Sequence, residues 1–426
     1  MAVYLDHAAT TPMSPEVLAA YVSALSVVGN PSSIHSDGQN ARRMLEEARE
    51  QVAGSLGADA VEVTFTSGGT ESINLAIKGL FWARQPASSV PPPAAAQPSP
   101  DALPHSAEGR QSGLSASPRD PIDAPQRRRV LIAAGEHHAT IDAAAWLASA
   151  EGAIVEQVPI DSLGRIDLTA LDAMLGDDVA LVSVLLANNE VGTIQPVEQV
   201  VSLASRFDVP VHVDAVAAYG YLPINFHELG AAALSVSAHK IAGPVGIGAL
   251  LIARTATVVP LLHGGSQQRS RSGTQDAAGA VAFGAAATLA TERIADRQVY
   301  LAALRDRLVA GIRSAVPGAV LRGDPSYRLA GNAHFTFPGC EGDSLLFLLD
   351  VAGFSVSTGS ACQAGVPEAS HVLLAMGVSE ADARGALRMT VGRDTTEAEI
   401  DAFLAVLPAA VERARAAGLA GRVVRA

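Results

Sequence analysis

Short apolar segments alternate repeatedly with amphipathic helical segments along this chain, and this alternation limits the folds it can adopt. The apolar runs are Val61–Thr66, Val130–Ala134, Ile154–Val158, Val179–Leu186, Val209–Val213, Leu234–Val236 and Gly248–Ile252. Several lack a polar residue at every second position, which is typical of strands buried on both faces of a parallel sheet. From Thr70 onward, Ile73, Ile77 and Phe81 recur at four-residue spacing and share one helix face. The alternation predicts an α/β fold with a mostly parallel sheet.

From about Gly264 the pattern changes to long helices around fewer strands. The last of these helices has a start signal, Thr396 followed three residues later by Glu399. We therefore predict a large domain of residues 15–262 and a smaller α+β domain, in which residues 263–426 are joined by residues 1–14.

One segment inside the large domain differs in composition from the rest. Between Arg84 and Gln126 lie 10 of the chain's 24 prolines, together with many alanines and serines. Such a stretch buries too little apolar area to offset its ordering entropy, so we interpret it as a disordered surface insertion. The alternative is an arm that binds a partner protein, because proline-rich segments dock on aromatic grooves.

The charge balance and the cysteine count exclude several classes of protein. Thirty Lys and Arg stand against 43 Asp and Glu, a formal charge of −13, which argues against a nucleic-acid or membrane-surface partner. Two cysteines are too few for a disulfide framework, and we expect a reducing compartment. The N-terminus has no basic region ahead of an apolar core, and no apolar run has membrane-spanning length. We expect a soluble, cytoplasmic protein.

Reactive side chains follow several of the predicted strands, at the edge where open α/β sheets bind their ligands. In chain order these groups are Ser67–Thr70, Glu136–His138, Asn188–Glu190, Asp214 and Ser237–Lys240. A glycine turn that opens a helix can hold a phosphate on its free N–H groups. The sequence therefore brings a phosphate site, an imidazole, an amide, a carboxylate and a lysine to one sheet edge.

This set of groups matches the needs of pyridoxal 5'-phosphate. The lysine forms the Schiff base, the carboxylate holds the pyridinium nitrogen, the turn binds the phosphate and the imidazole covers the ring. Each group alone has a commoner structural explanation, as a turn, a helix cap or a solvated lysine, but the combination favours the cofactor. No metal site is expected, because none of the 11 histidines lies in a zinc-binding spacing.

The two cysteines lie in different settings. Cys362 is in the small, polar, glycine-rich stretch Ser357–Gly365, where a thiol can ionise and act as a nucleophile. From the residues alone, an unreactive exposed cysteine is equally compatible with that setting. Cys340 lies in a turn ahead of a helix with nothing to activate it, and we interpret it as structural.

The chain resembles the cysteine desulfurases of the class V aminotransferase group, which are fold-type I pyridoxal phosphate enzymes. The matching stretches, in family order, are YLDHAATTP, GNPSSIHSDGQNAR, FTSGGTESINLAIKG, ANNEVGTIQP, VHVDA, SAHKIAGPVGIGAL, RSGT, STGSAC and LRMTVGR. The spacing from Cys362 to Ser370 is similar to that of the long-loop subgroup. The resemblance implies a seven-stranded, mostly parallel sheet in the large domain and a small domain that carries the catalytic cysteine.

The resemblance also implies a role for each matching residue. Lys240 would bond the cofactor and shuttle protons, and Asp214 would pair with the pyridinium nitrogen. His137 would stack on the ring and assist proton transfers. Asn189 and Arg388 would bind the substrate carboxylate, and Asn189 would also contact the cofactor. The phosphate would be held by Gly69, Thr70, Ser237 and His239, with Thr274 reaching it from the partner subunit of a homodimer.

Cys362 would attack the sulfur of cofactor-bound L-cysteine, releasing L-alanine and leaving a persulfide. The persulfide would pass to a sulfur-acceptor protein, either an iron–sulfur cluster scaffold or a tRNA thiolation enzyme. Two alternatives remain: a lyase or aminotransferase of the same fold, selenocysteine lyase included, and a sulfur-transfer scaffold without turnover.

Two positions depart from the family pattern. Ala217 replaces a glutamine that contacts the phenolic oxygen of the cofactor, a loss of about 1 kcal/mol in cofactor binding. The loop Gly264–Ser270 is one residue shorter than is usual before RSGT, the stretch that contains Thr274.

Overall fold

The computed structural model describes residues 2–86, 127–359 and 369–423. The strands are β1 (Val3–Tyr4), β2 (Val63–Thr66), β3 (Arg129–Ala133), β4 (Ile154–Val158), β5 (Val179–Leu185), β6 (Val211–Asp214), β7 (Ala233–Ser237), β8 (Gly248–Ile252), β9 (Val320–Leu321), β10 (Asn332–Thr336), β11 (Phe354–Ser355) and β12 (Ala386–Thr390). The helices are α1 (Pro15–Leu25), α2 (Ser36–Ser55), α3 (Gly69–Ala83), α4 (His138–Glu151), α5 (Leu168–Met174), α6 (Val197–Ser205), α7 (Phe226–Leu229), α8 (Ala277–Glu292), α9 (Ile294–Ala315), α10 (Gly342–Val351), α11 (His371–Ala375), α12 (Glu380–Ala383) and α13 (Glu397–Val423).

Seven strands form the central sheet, in the order β2-β8-β7-β6-β5-β3-β4. Only β8 is antiparallel to its neighbours, and the other strands all run in one direction. The α/β prediction and the mostly parallel sheet are confirmed, and each predicted apolar run contains most or all of one strand. The carboxyl ends of β2, β6 and β7 therefore meet at one edge.

Both faces of this sheet are buried, which explains why its strands lack a polar alternation. In β3, Leu131 belongs to one hydrophobic cluster while Val130 and Ile132 belong to another. The first cluster includes side chains from α2, α6 and α8, and the second includes side chains from α3 and α4. Helices on both faces leave only the strand ends open to ligands.

A separate hydrophobic core lies in the C-terminal part of the chain. It joins α9, α10 and α13 to the antiparallel sheet β12-β10-β9, and Leu5 from the N-terminal segment belongs to it. Helix α8 packs elsewhere, with Phe283 in the cluster that covers the central sheet. The predicted domain boundaries stay a prediction.

The start signal of the last helix forms a capping box. The Thr396 hydroxyl accepts a hydrogen bond from the Glu399 backbone N–H at 3.3 Å, and the Glu399 carboxylate accepts one from Thr396 N–H at 2.7 Å. The predicted helix start is thus confirmed. None of the helices among the described residues is long and apolar enough to cross a membrane.

Candidate active site

A cavity of about 370 Å³ opens at the carboxyl edge of the central sheet. Eight of the predicted site residues line it: Gly69, Thr70, His137, Asn189, Asp214, His239, Lys240 and Arg388. Ser237 does not line the cavity but lies beside Gly69, where an added Cβ would be 3.8 Å from Ser237 Cβ. Thr274 is exposed and does not line the cavity. Cys362 and most of the proline-rich insertion lie outside the described residues. The fold thus brings together side chains that are far apart in sequence.

Lys240 follows β7 on a short helical turn. Its ammonium nitrogen donates hydrogen bonds to the carbonyl of Ala9 at 2.9 Å and to that of Ala8. Burial, together with the nearby Arg388 guanidinium, lowers the pKa of Lys240 to about 8, against the opposing effect of Asp6 and Asp214. A useful fraction of the amine is therefore neutral near physiological pH, as a nucleophilic lysine requires.

Two buried carboxyl groups lie at the centre of this edge. Asp214 ends β6, accepts a hydrogen bond from Val216 N–H at 2.9 Å, and has its pKa raised to about 6 by burial. Glu136 is fully buried and accepts from Leu185 N–H at 2.8 Å. Burial and the charge of Asp214 raise the pKa of Glu136 to about 8. Glu136 follows a predicted strand but was not among the predicted site residues.

His137 is fixed by its own helix. Its Nδ1 accepts a hydrogen bond from Ala139 N–H at 3.1 Å, which caps the start of α4. Burial, and then the charge of Lys240, lowers the pKa of His137 to about 4. The neutral ring with Nδ1 as acceptor carries its proton on Nε2, so this histidine presents a donor to the cavity.

The start of α3 supplies the predicted phosphate site. Gly68 adopts a φ of 151°, which favours glycine, and the helix then begins at Gly69 with free backbone N–H groups. A Cβ on Gly69 would approach Val216 Cγ2 to 2.8 Å, so a side chain there would crowd the site. The buried hydroxyl of Ser237 has no hydrogen-bond partner among the described residues. Free donors at a helix start and an unpartnered hydroxyl beside it fit a phosphate.

Arg388 projects from β12, whose backbone pairs with Ser357. Its Nη1 donates to the carbonyl of Asn189 at 2.8 Å, and its Nη2 forms an ion pair with Asp6 at 2.8 Å. Arg388 and Asn189 are the predicted ligands of a substrate carboxylate, whereas Asp6 was not predicted to belong to the site. The only signal for Asp6 was its place in the opening motif YLDH.

Ala217 borders two spaces at once. It lines the 370 Å³ cavity and also a smaller apolar cavity of about 30 Å³. Tyr221, Asn189 and Lys240 line the smaller cavity as well. The short side chain of Ala217 therefore leaves space beside Lys240.

The described residues contain one group with the geometry of metal ligands. Ligand atoms of Asp59, Glu62 and His227 lie within 4.8 Å of one another. Glu62 accepts a hydrogen bond from His227 at 2.7 Å, and Arg254 pairs with Asp59 at 2.6 Å. These partners neutralise the carboxylates without a cation, and none of the three residues lines the 370 Å³ cavity.

Comparisons with known proteins agree with this geometry. The model of the class V aminotransferase family matches residues 3–90 and 119–403. An IscS-like cysteine desulfurase of Mycobacterium tuberculosis is 49% identical over 421 residues, covering 98% of each chain. The structure of a NifS-like protein superposes with a TM-score of 0.82 at 32% identity, covering 97% of this chain and 100% of that one.

A second solved structure, SspA in complex with cysteine, has a TM-score of 0.72 and 28% identity, covering 91% of this chain and 98% of that one. The fold-type I architecture implied by the sequence motifs is confirmed by these likenesses. This chain belongs to the class V aminotransferase family, as one of its pyridoxal-phosphate-dependent cysteine desulfurases.

Proposed function

We propose that this protein transfers the sulfur of L-cysteine to the thiol of Cys362. The Cβ–S bond of the substrate breaks, a new S–S bond forms at Cys362, and the products are L-alanine and a Cys362 persulfide. The observation that carries the proposal is the single 370 Å³ cavity that Lys240, Asp214, His137 and Arg388 all line. When bound there, pyridoxal phosphate supplies the electron sink that stabilises negative charge at the substrate carbons.

Residues of this chain bind the cofactor and the substrate and transfer protons. Asp214 offers a buried carboxylate to a ring nitrogen, and the start of α3 with Ser237 offers N–H and hydroxyl donors to a phosphate. Arg388 offers guanidinium N–H groups to the substrate carboxylate. Lys240, with a pKa near 8, can accept and return a proton at Nζ, whereas His137 holds its proton on Nε2 and acts as a donor.

The partners follow from the family resemblance. We propose a homodimer, as the resemblance implies, in which Thr274, an exposed residue that does not line its own chain's cavity, contributes to the phosphate site of the partner subunit. The persulfide would pass to a sulfur-acceptor protein, an iron–sulfur cluster scaffold or a tRNA thiolation enzyme. We place this reaction in the cytoplasm, where thiols stay reduced.

The decisive experiment follows sulfide and L-alanine together, from L-cysteine, with a reductant and added pyridoxal phosphate. We expect the two products in equal amounts from the wild type, and loss of both in Cys362→Ala. Cys340→Ala is the matched control, because Cys340 is buried in the C-terminal core and contacts the carbonyl of Val411. That control should retain turnover.

Other outcomes would identify the alternatives. Turnover that survives in Cys362→Ala would indicate a lyase, since elimination from cysteine or selenocysteine needs no thiol nucleophile. Pyruvate and ammonia in place of alanine would also indicate a lyase, because eliminating sulfide from cysteine leaves those products. 3-Mercaptopyruvate without sulfide, formed when a 2-oxo acid is added as amino acceptor, would indicate an aminotransferase. No turnover in a protein that binds the cofactor would indicate a sulfur-transfer scaffold.

A further inference from the structure

Asp6 and Arg388 form an ion pair at the wall of the cavity. The Oδ1–Nη2 distance is 2.8 Å, and the side chains are only 19% and 6% exposed. The pairing spans nearly the whole chain, because Asp6 lies in the N-terminal segment and Arg388 lies on β12. Exposed pairs contribute little to stability, but a pair this buried holds both groups in one geometry.

The backbone around Asp6 is fixed against the same strand. Asp6 forms a parallel bridge with Thr390, and the Thr390 hydroxyl accepts a hydrogen bond from Ala8 N–H at 2.9 Å. The carbonyl of Asp6 accepts hydrogen bonds from Ala9 N–H and from the Tyr4 hydroxyl, each at 3.0 Å. The carboxylate therefore approaches Arg388 from a rigid support.

The guanidinium is anchored at two different nitrogens. Asp6 takes Nη2 and the carbonyl of Asn189 takes Nη1, while Nε is buried without a partner among the described residues. Two anchors on a planar group fix its rotation, and each terminal nitrogen keeps a second N–H. With Asn189 alone, the plane could turn about a single hydrogen bond.

The charge of Asp6 also acts on its neighbours. The titratable groups that face the pair are Tyr4, His7, Lys240 and His334. Burial is the largest influence on the pKa of each, and Arg388 lowers the pKa of Tyr4, Lys240 and His334. Asp6 raises the pKa of Tyr4 and of Lys240, which offsets that effect. Asp6 therefore holds the Arg388 guanidinium in one orientation and partly balances its positive charge.

We propose that Asp6 is a positioning residue that orients Arg388, so that the site selects amines that carry an α-carboxylate. This inference rests on the proposed function in one respect, the placement of the substrate carboxylate at Arg388. It adds a specificity determinant on the N-terminal segment, which reaches the site only through the tertiary fold.

The test compares two ligands that differ by one carboxylate, L-alanine and ethylamine. Their dissociation constants are measured by absorbance titration of the cofactor-loaded enzyme, for the wild type, Asp6→Ala and Asp6→Asn. In Asp6→Ala we expect the preference for L-alanine over ethylamine to fall about tenfold, the usual effect of losing a charged hydrogen bond. Asp6→Asn should stay within about threefold of the wild type, because its amide oxygen still accepts from Nη2.

Asp401→Asn is the matched control, because Asp401 pairs with Arg307 on the exposed surface. It should leave the preference unchanged. Equal weakening of both ligands in Asp6→Ala, or an unchanged preference, would overturn the proposal. If Asp6→Ala does not fold, Asp6→Ser replaces it, since a serine hydroxyl is too short to reach Nη2. Absent cysteine turnover with an intact response to L-alanine would contradict the proposed function and leave this inference standing.

Discussion

Among single residues, Ala217 stands where the family resemblance implies a glutamine. Its methyl group cannot donate a hydrogen bond, and it borders a cavity of about 30 Å³ beside Lys240. The space is large enough for one water molecule, which needs polar partners such as the amide of Asn189 or the hydroxyl of Tyr221. The missing hydrogen bond should therefore change the affinity and the absorption spectrum of the bound cofactor as well as turnover.

We expect Ala217→Gln to bind pyridoxal phosphate about fivefold more tightly, the equivalent of one neutral hydrogen bond of about 1 kcal/mol. The absorption maximum of the bound cofactor should shift as well. Equilibrium dialysis and absorbance spectra check both. Ala217→Val fills the same space without a donor and is the control, and an unchanged spectrum and affinity in Ala217→Gln would refute the prediction.

Glu136 gives a second residue-scale prediction, through pH. Its pKa is about 8 in the folded protein and near 4.5 when unfolded, so the folded state binds the extra proton between these values. Its contribution to stability is therefore fully present below pH 4.5 and lost as pH rises toward 8. Glu136→Gln stays neutral and can still accept from Leu185 N–H.

The stability of Glu136→Gln relative to the wild type should therefore increase from about pH 4.5 to 8 and change little above that range. Thermal melts at fixed ionic strength across this range measure the difference. A stability difference that is constant with pH would mean that Glu136 is ionised in the folded protein.

At the scale of elements, the position of α3 depends on a close approach by β8. A Cβ on Gly248 would lie 2.7 Å from the carbonyl of Val236 and 2.8 Å from the backbone of Gly68. Both contacts are with backbone, so relief would require moving the turn that begins α3. The sequence signal for this site, a glycine pair before a helix, did not reveal its dependence on a third glycine in a distant strand.

Gly248→Ala should therefore weaken cofactor binding at least tenfold and lower the melting temperature by several degrees, as overpacking costs ~1–3 kcal/mol. Gly54→Ala in α2 is the control, because no heavy atom lies within 4 Å of its added Cβ. That substitution should stabilise the protein by up to ~1 kcal/mol without changing cofactor affinity. Cofactor affinity that is equal in the two variants would contradict the structural account.

At the scale of the whole molecule, the two ends of the proline-rich insertion lie next to each other. The side-chain amide of Gln85 donates to the carbonyl of Arg127 at 2.8 Å. A short linker can therefore join α3 to β3 without disturbing the sheet. If the insertion is only a spacer, its removal should be nearly neutral.

We expect replacement of residues 87–126 by four Gly and Ser residues to change the free energy of unfolding by about 0.5 kcal/mol or less. Cysteine turnover with a small-molecule reductant should be unchanged. Loss of sulfur delivery to an acceptor protein, with turnover intact, would contradict the spacer interpretation and support a partner-binding arm.

Local patterns in the sequence are enough to predict the α/β class, the strands of the central sheet, the capping box at Thr396 and the order of the reactive groups along the chain. These features are local, because hydrophobic period, caps and glycine turns depend on neighbouring residues. The convergence of Lys240 and Asp214 was also predictable, since parallel strands end at a common edge.

Other features of the site follow from the tertiary structure. The fold brings Asp6 into an ion pair with Arg388. It raises the pKa of Glu136 by burying this carboxyl group beside Asp214. It also brings Gly248 into close contact with the turn before α3. Each of these depends on contacts between residues far apart in sequence, or on removal from water. Long-range contacts and burial leave no periodic signal in the sequence, because both arise only when the helices and strands pack together.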